Sequence, residues 1–165
     1  MSEAAHEIHP FPPLFDSQSR ILILGSFPSI KSREGCFFYH HPQNRFWKVL
    51  AAVLNVPTPV TIEEKSAMLH AHHIALWDVI ASCEIVGSSD SSIRNVIPND
   101  LSPIFAAAEI RAVFCNGGTA YAHYQKYAKP VTDIFARKLP STSPANATWT
   151  LEKLTAVWGE ILNWL

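Results

Sequence analysis

Residues 20–25 (RILILG) place four consecutive branched aliphatic side chains between an arginine and a glycine. A run this short and this apolar is typical of a β-strand buried on both faces, as the strands of parallel sheets are. Similar runs at residues 74–80 and 112–115 indicate two more strands, the first ending near Asp78, and residues 138–139 indicate a short fourth. The chain is thereby restricted to folds built on a buried, mostly parallel sheet.

Helical segments alternate with these strands. Apolar spacing and capping signals predict five helices, at residues 44–54, 61–70, 99–108, 119–127 and 149–164. Thr61 and Glu64 have the spacing of a capping box. Irregular connections rich in glycine, proline or polar residues are expected at 26–42, 84–92 and 140–146. The alternation predicts an α/β fold, a three-layer α/β/α sandwich around a central four-stranded, mostly parallel sheet.

The chain has 165 residues, of which 48% are hydrophobic, and this suits a single domain spanning residues 1–165. Residues 1–18 are expected to form an irregular N-terminal segment. Residues 1–10 lack the basic and apolar regions of a signal peptide, and no apolar run approaches the ~18 residues of a membrane span. A monomer without membrane contact is the default expectation.

Metal and disulfide chemistry is not indicated. The three cysteines, Cys36, Cys83 and Cys115, are far apart and form no CxxC pair, which argues against zinc, iron–sulfur and disulfide sites. His40 and His41 are adjacent, so they point in different directions, and no nearby carboxylate completes a metal site. We expect no metal and no cofactor. Unpaired cysteines favour a cytoplasmic location, nucleoid-associated if the chain is prokaryotic.

The formal net charge of −1 hides an uneven distribution. Residues 20–48 contain five basic residues and one acid, and residues 123–138 contain four lysines or arginines and one acid. Two such clusters suffice for a few phosphate contacts, although an ordinary solvated surface is the alternative interpretation.

Polar residues follow each predicted strand, and ligands of open α/β sheets bind beyond the carboxyl ends of the strands. The residues at these ends are Gly25, Ser26, Phe27 and Pro28, then Asp78, then Asn116, then Ser141, Thr142 and Ser143. We therefore expect a pocket at this edge. Three aromatic residues, at positions 37–39, lie in the long loop after the first strand and could stack on a flat ligand.

Three segments, GSFPS (25–29), FFYHHPQNRFW (37–47) and LPSTSPAN (139–146), together resemble the uracil-DNA glycosylase superfamily. HPxNRFW is shared with the mismatch-specific uracil glycosylases, whereas the other two segments are most similar to the hypoxanthine-DNA glycosylase (DNA-deoxyinosine glycosylase) family. The resemblance extends over residues 20–164. It implies a four-stranded parallel sheet, extrusion of the target nucleotide into a pocket, and hydrolysis of the N-glycosidic bond without metal or cofactor.

The sequence departs from the superfamily in ways that bear on the reaction. Other branches place Asp or Asn directly after the first strand, where this chain has Ser26 followed by Phe27. No histidine occupies the LPST segment, and three cysteines are too few for the iron–sulfur branches. The resemblance to the hypoxanthine branch assigns the catalytic amide to Asn44, whose carbonyl oxygen would hold the attacking water. An N-cap role for Asn44 is compatible with this.

The resemblance also implies roles for the other site residues. Backbone N–H groups of the turn from Gly25 to Ser29 would stabilise the departing base, and Tyr39 would stack on it, with Phe27 as a second stacking candidate. A carboxylate at Asp78 would accept the N1–H that hypoxanthine has and adenine lacks, with a helix cap or a buried salt bridge as the alternative. Asn116 is a further base contact, unless it serves only as a turn residue.

DNA contacts are expected from the loop that resembles the minor-groove segment of these enzymes. Its members are Ser141, Thr142, Ser143 and Asn146, and Ser32 and Arg45 complete the predicted set. No feature depresses the pKa of Lys31, so a Schiff-base lyase activity is not expected.

The sequence thus predicts a monofunctional DNA glycosylase that acts on deaminated bases, chiefly hypoxanthine, and starts base excision repair. Double-stranded DNA with a deaminated base is the expected partner, with single-stranded DNA left open. Three alternatives remain at this point: a uracil- or mismatch-specific glycosylase, a non-catalytic module that binds damaged DNA, and a hydrolase of free nucleosides.

Overall fold

The first predicted strand is an interior strand of the main sheet. In the computed structural model, which describes residues 3–165, β2 (Ile21–Gly25) is buried along its whole length. It pairs in parallel with β3 (Ile74–Asp78) on one side and β6 (Ala112–Asn116) on the other, and β6 pairs in parallel with β7 (Ala136–Leu139). The order β3-β2-β6-β7 confirms the predicted α/β fold with a four-stranded parallel sheet.

Seven α-helices connect or flank the strands of residues 3–165. They are α1 (Ile30–Gly35), α2 (Phe46–Leu54), α3 (Ile62–Ala71), α4 (Ser102–Ala107), α5 (Gly118–His123), α6 (Lys129–Thr132) and α7 (Leu151–Trp158). A π-helical segment joins α5 to α6, and a 3-10 segment extends α7. The predicted capping box at the start of α3 is confirmed. No helix in this part of the chain combines the length and the apolar character that crossing a bilayer requires.

The prediction that residues 26–42 form an irregular loop is wrong at α1. Ser29 begins this helix, because its side chain accepts a hydrogen bond from the Ser32 N–H. Six residues are too few to show a helical period in the sequence. The short helix matters for function because it stands directly beside the turn that follows β2.

A second sheet was not expected from the sequence. Strands β1 (Ala5–Ile8), β4 (Ile80–Ile85) and β5 (Arg94–Pro98) form an antiparallel sheet in the order β1-β4-β5. The expectation that residues 84–92 are only a polar loop is therefore wrong at its start. Strand β1 is mostly exposed and shows no apolar alternation, so only its pairing with β4 defines it.

The N-terminal segment was expected to be irregular over residues 1–18; residues 1 and 2 lie outside the described residues, and residues 3–18 are more ordered than predicted. Besides β1, Leu14 forms a backbone bridge to Leu76 of β3, with hydrogen bonds of 3.0 and 2.9 Å. Phe11 is buried in the core between these two points. The segment thereby covers the edge of the main sheet that β3 would otherwise expose.

An aromatic cluster joins the core to the loop before α2. Phe46 is fully buried, and its ring meets Trp158 of α7 edge to face at 5.8 Å and Trp47 at 4.8 Å. The ring of Tyr39 stacks on Phe46 at 4.0 Å. Packing of α2 against α7 therefore also fixes the position of Tyr39.

We predict that Phe46→Ala lowers the free energy of unfolding by about 3–5 kcal/mol, because it removes a fully buried ring and leaves a cavity. Urea unfolding followed by tryptophan fluorescence measures the change. Phe135→Ala is the matched control, because that side chain is 81% exposed, and its change is expected within about 0.5 kcal/mol. Equal effects of the two substitutions would contradict the assignment of Phe46 to the core.

Candidate active site

A pocket of about 360 Å³ opens at the carboxyl edge of the main sheet. Most of the residues predicted for the site line it. They are Gly25, Ser26, Phe27, Pro28, Ser29, Ser32, Tyr39, Asn44, Asp78, Asn116, Ser141, Thr142 and Ser143. The edge position follows from parallel pairing, which aligns the ends of β2, β3 and β6 and brings the chain after β7 to the same side.

Gly25 allows two functional groups to converge. A Cβ atom at this position would overlap Asp78 Oδ1 and lie 3.2 Å from the Tyr39 hydroxyl. Register explains the proximity, since Gly25 and Asp78 are paired residues of β2 and β3. Any side chain at position 25 would therefore push the carboxylate and the phenol apart.

Tyr39 has the geometry of a stacking platform. One face of its ring rests on Phe46, which leaves the opposite face for a ligand in the pocket that Tyr39 lines. Its backbone lies in the left-handed region at φ 49°, an unfavourable conformation for a bulky residue, and Trp47 Nε1 donates a hydrogen bond of 3.1 Å to its carbonyl oxygen. Burial of the hydroxyl, with the charge of Asp78 nearby, raises the pKa of Tyr39, so the phenol stays protonated.

Asp78 makes a buried contact with a basic side chain, of the kind that the sequence left open as an alternative. Its Oδ2 receives a hydrogen bond of 2.7 Å from His9 Nε2, and both side chains are buried. Its Oδ1 accepts no hydrogen bond from residues 3–165 and lies against Gly25 in the pocket wall. The hydrogen bond from His9 therefore orients the carboxylate while leaving one oxygen for a ligand. His9 was missed, because an N-terminal histidine 69 residues away carries no local signal.

Asn44 reaches the pocket, but its amide is turned the other way from our expectation. Its Oδ1 accepts hydrogen bonds from the Phe46 N–H at 3.0 Å and from the Thr142 hydroxyl at 2.8 Å. A backbone N–H can only donate, so the atom facing Phe46 must be the oxygen. Both lone pairs of Oδ1 are thus engaged within the protein. The expectation that this oxygen holds the attacking water stays a prediction. The NH₂ group is the part of Asn44 left for a ligand.

Thr142 and Asn116 hold Asn44 in this orientation. Asn116 Nδ2 donates to Thr142 Oγ1 at 3.0 Å, and the Thr142 N–H donates to Asn116 Oδ1 at 3.0 Å. Thr142 is fully buried and its hydroxyl is engaged with Asn44 and Asn116, and its predicted role as a DNA contact stays a prediction. The N–H groups of Phe46 and Thr142 lie at the two ends of this chain of hydrogen bonds. Because a backbone N–H can only donate, they fix the direction of every hydrogen bond between them.

Three other predicted DNA contacts are engaged within the protein. The Arg45 guanidinium donates to the carbonyl oxygens of Trp149, Ser143 (2.9 Å) and Asn146 (3.1 Å), which ties the 141–149 loop to the start of α2. Asn146 donates its amide to the Ser141 carbonyl, and the buried Ser32 hydroxyl accepts from the His40 N–H. In this structure the three side chains bond within the protein, and their predicted contacts to DNA stay predictions.

The predicted cradle for the departing base lacks one of its donors, because Pro28 has no N–H. The N–H groups of Ser26, Phe27 and Ser29 donate to no acceptor within the described residues. These donors of the turn thus remain for a ligand. The Phe27 ring itself is buried, edge-on to His9 at 6.1 Å, so it packs inside the pocket wall.

Several pocket residues were not among the predicted site residues. They are Phe38, His41, Ser88, Asp90, Pro144 and Ala145. Asp90 is the most informative of them, because its Oδ1 accepts a hydrogen bond of 3.1 Å from the Ser26 hydroxyl. The unpredicted strand β4 is what carries this part of the chain back toward the pocket. Loss of solvent at the carboxyl group raises the pKa of Asp90, and the Ser26 hydrogen bond opposes that shift.

The arrangement defines a class of protein with a pocket at the carboxyl edge of a parallel sheet, lined by aromatic and hydrogen-bonding side chains. Comparison with known proteins specifies the class further. The family model of the uracil DNA glycosylase superfamily matches residues 12–165. The chain belongs to the uracil DNA glycosylase superfamily.

Individual relatives agree with this placement. A hypoxanthine DNA glycosylase from Methanosarcina acetivorans is 31% identical over 137 residues, covering 82% of this chain and 86% of the relative. A hypoxanthine DNA glycosylase from Methanosarcina barkeri is 31% identical over 65% of this chain and 69% of its own length. A solution NMR structure from Methanosarcina acetivorans, described as a candidate uracil DNA glycosylase, superposes with a TM-score of 0.76 at 29% identity, covering 92% and 96% of the two chains.

We predict that Gly25→Ala destabilises the protein by about 1–3 kcal/mol, because the added methyl group overlaps Asp78 Oδ1 in a packed wall. Gly159→Ala is the matched control, since a Cβ atom there meets no atom within 4 Å and its backbone is helical. Urea unfolding of both variants provides the comparison. A Gly25→Ala protein as stable as Gly159→Ala would show that the Asp78 carboxylate is free to move away.

Proposed function

We propose that this protein is a DNA glycosylase that hydrolyses the N-glycosidic bond of deaminated bases, chiefly hypoxanthine. The observation that carries the proposal is Asp78 Oδ1, a carboxylate oxygen without a protein partner that faces the pocket beside Tyr39. Deamination of adenine converts a ring nitrogen from a hydrogen-bond acceptor to an N–H donor. A fixed carboxylate accepts from that N–H and repels the acceptor nitrogen of the parent base. The names of the relatives support hypoxanthine as the main substrate.

The target nucleotide is extruded from the duplex, because a base that remains in the stack cannot enter a protein pocket. Its base lies on the free face of Tyr39, backed by Phe46. The Asp78 carboxylate, held by His9, receives the N1–H. Stacking and a single directed hydrogen bond together select for a flat base with an N–H donor at its Watson–Crick edge.

Hydrolysis needs a water molecule placed at C1′ opposite the departing base. The Asn44 NH₂ group donates to the oxygen of this water and leaves its other lone pair to attack. Thr142 and Asn116 keep the amide in that orientation through the hydrogen bonds to Oδ1. As the bond breaks, negative charge grows on the base, and the free N–H groups of Phe27 and Ser29 stabilise it.

DNA is the macromolecular partner that this activity requires. Ser141 and Ser143 remain in the rim of the pocket and are the proposed contacts of the 141–146 loop to the strand that carries the target. The reaction uses neither a lysine nucleophile nor a cofactor in this proposal, so the product is an intact abasic site that enters base excision repair. Action as a monomer in the cytoplasm stays a prediction from the sequence.

A panel of duplexes tests the proposal. We expect base release, detected as strand scission after alkali, from DNA with a single hypoxanthine, with slower release from xanthine and uracil. A preference for uracil would favour a uracil- or mismatch-specific enzyme. Tight binding of hypoxanthine DNA without base release would favour a damage-binding module, and turnover of free inosine would favour a nucleoside hydrolase. Each of these outcomes overturns the proposed substrate or reaction.

We predict that Asn44→Ala lowers the single-turnover rate of hypoxanthine release by roughly 100-fold or more, because the water loses a positioned donor. Affinity for the same duplex, measured by fluorescence anisotropy, is expected to change less than about threefold. Asn163→Ala, at an exposed asparagine in the terminal 3-10 segment, is the control and should match the wild type. Full activity of Asn44→Ala would remove this residue from the mechanism.

A further inference from the structure

We propose that Asp90 is a second catalytic residue, the carboxylate that orients the attacking water and takes its proton. The inference rests on the proposed glycosylase activity and adds a catalytic group to it. Asp90 lies outside all three segments that carry the family resemblance, and it belongs to a 3-10 turn, Asp90–Ser92, after β4.

The carboxyl group of Asp90 is built into the pocket wall. Asp90 is exposed as a residue, but it lines the pocket and its Oδ1 accepts from the hydroxyl of the buried Ser26 at 3.1 Å. Its Oδ2 accepts no hydrogen bond from residues 3–165. Asp90 therefore has one oxygen anchored on the end of β2 and a second oxygen for a ligand.

The turn that carries Asp90 is held against α1. Arg33 donates to the Gly87 carbonyl at 2.8 Å, and the Ile30 N–H donates to the Ser88 hydroxyl at 2.9 Å. Within the turn, the Val86 N–H donates to the Ser92 hydroxyl at 2.8 Å. These bonds position the carboxylate before any ligand arrives, which is the property that a water-orienting group needs.

The other polar groups of the pocket are engaged differently. Both lone pairs of Asn44 Oδ1 are occupied, so the amide cannot accept a proton or a hydrogen bond from water. His41 Nδ1 accepts from the Gln43 N–H at 3.1 Å, so a neutral His41 carries its proton on Nε2 and acts as a donor. Asp78 is paired with His9 and placed for the base. Asp90 is the remaining carboxylate of this pocket, which Asn44 also lines. In this proposal the Asn44 NH₂ group donates a hydrogen bond to the attacking water, and the Asp90 carboxylate accepts one from it.

Ser26 positions Asp90 in this arrangement. Ser26 lies directly after β2 and lines the pocket. Its hydroxyl anchors a carboxylate that lies 64 residues further along the chain. The acid thus belongs to a different segment while lying at the same edge of the sheet.

In the proposed step, the water oxygen forms a bond to C1′ while the bond from C1′ to N9 breaks. The electron pair of the broken bond leaves with the base. One water proton passes to the Asp90 carboxylate and then to solvent, and the base anion takes up a proton from solvent. The products are an abasic deoxyribose and the free base, so no oxidant, reductant or cofactor is needed.

The electrostatics of the site suit a proton acceptor. Burial raises the pKa of Asp90, and the charge of Asp78 adds to that effect, whereas the Ser26 hydroxyl lowers the pKa. A raised pKa makes a carboxylate a stronger base. Other ionisable groups on the surrounding elements are Tyr39, His41, Arg33 and Lys138.

Asp90→Asn tests the proposal with a side chain of the same shape that still accepts from Ser26. We expect the single-turnover rate of hypoxanthine release to fall by about 100-fold or more, the range that general base catalysis supplies, with DNA affinity changed less than about threefold. Asp133→Asn is the matched control, because that carboxylate is 95% exposed and its left-handed backbone accepts asparagine. A rate for Asp90→Asn within about threefold of wild type would overturn the assignment.

The pH dependence of the rate distinguishes a proton-accepting role of Asp90 from a merely structural role. The wild-type rate should fall as the pH drops and Asp90 becomes protonated. This fall at low pH, the acid limb of the profile, should be absent from the residual rate of Asp90→Asn. Ser26→Ala removes a hydrogen bond that favours the ionised form, so it should raise the Asp90 pKa and move the acid limb to higher pH. An unmoved limb in Ser26→Ala would overturn the proposal, even if Asp90→Asn failed to fold.

The same experiments distinguish a failure of the proposed glycosylase activity from a failure of the role of Asp90. A wild-type protein that releases no base from any duplex contradicts the proposed function itself. A wild-type protein that is active, with Asp90→Asn equally active and an unchanged pH profile, contradicts only the role of Asp90.

Discussion

Burial of β2 on both faces is the constraint on which the site depends. A fully buried strand must pair on both edges, and parallel pairing with β3 and β6 aligns the carboxyl ends of three strands. Gly25, Asp78 and Asn116 therefore come together although long stretches of chain separate them. The missing side chain at Gly25 then lets Asp78 and Tyr39 approach each other closely enough to form one wall of the pocket.

Polar groups in this pocket are oriented by donors that cannot reverse. The Phe46 N–H and the Thr142 N–H terminate the hydrogen-bond chain through Asn44 and Asn116, so each amide has a single orientation. His9 orients Asp78 in a comparable way, with a contact that spans the two sheets. The buried network leaves selected atoms, the Asn44 NH₂ group and one oxygen of Asp78, for a ligand. Preorganisation of this kind is what a site in a low-dielectric pocket requires.

Sequence reasoning located the pocket better than it assigned the roles of its members. Strand ends and motifs placed Tyr39 and Asp78 in the pocket, because both follow from local apolar runs and from residue type. Arg45 and Thr142 looked like DNA contacts, since basic and hydroxyl side chains near a binding loop usually are. The structure uses them instead to tie the loop after β7 to the start of α2. These hydrogen-bond partners lie about a hundred residues apart in the chain, so no local sequence pattern predicts the contacts.

The sequence by itself determined the class of fold, the edge at which the pocket lies and the family, because apolar periodicity and short motifs are local properties of the chain. Tertiary structure alone decided which atoms face a ligand. It set the orientation of the Asn44 amide and paired Asp78 with His9. It also added the sheet of β1, β4 and β5 and placed Asp90 within hydrogen-bond distance of Ser26. The physical reason is that hydrogen-bond direction and long-range pairing depend on partners that only folding brings within 3 Å or so of one another.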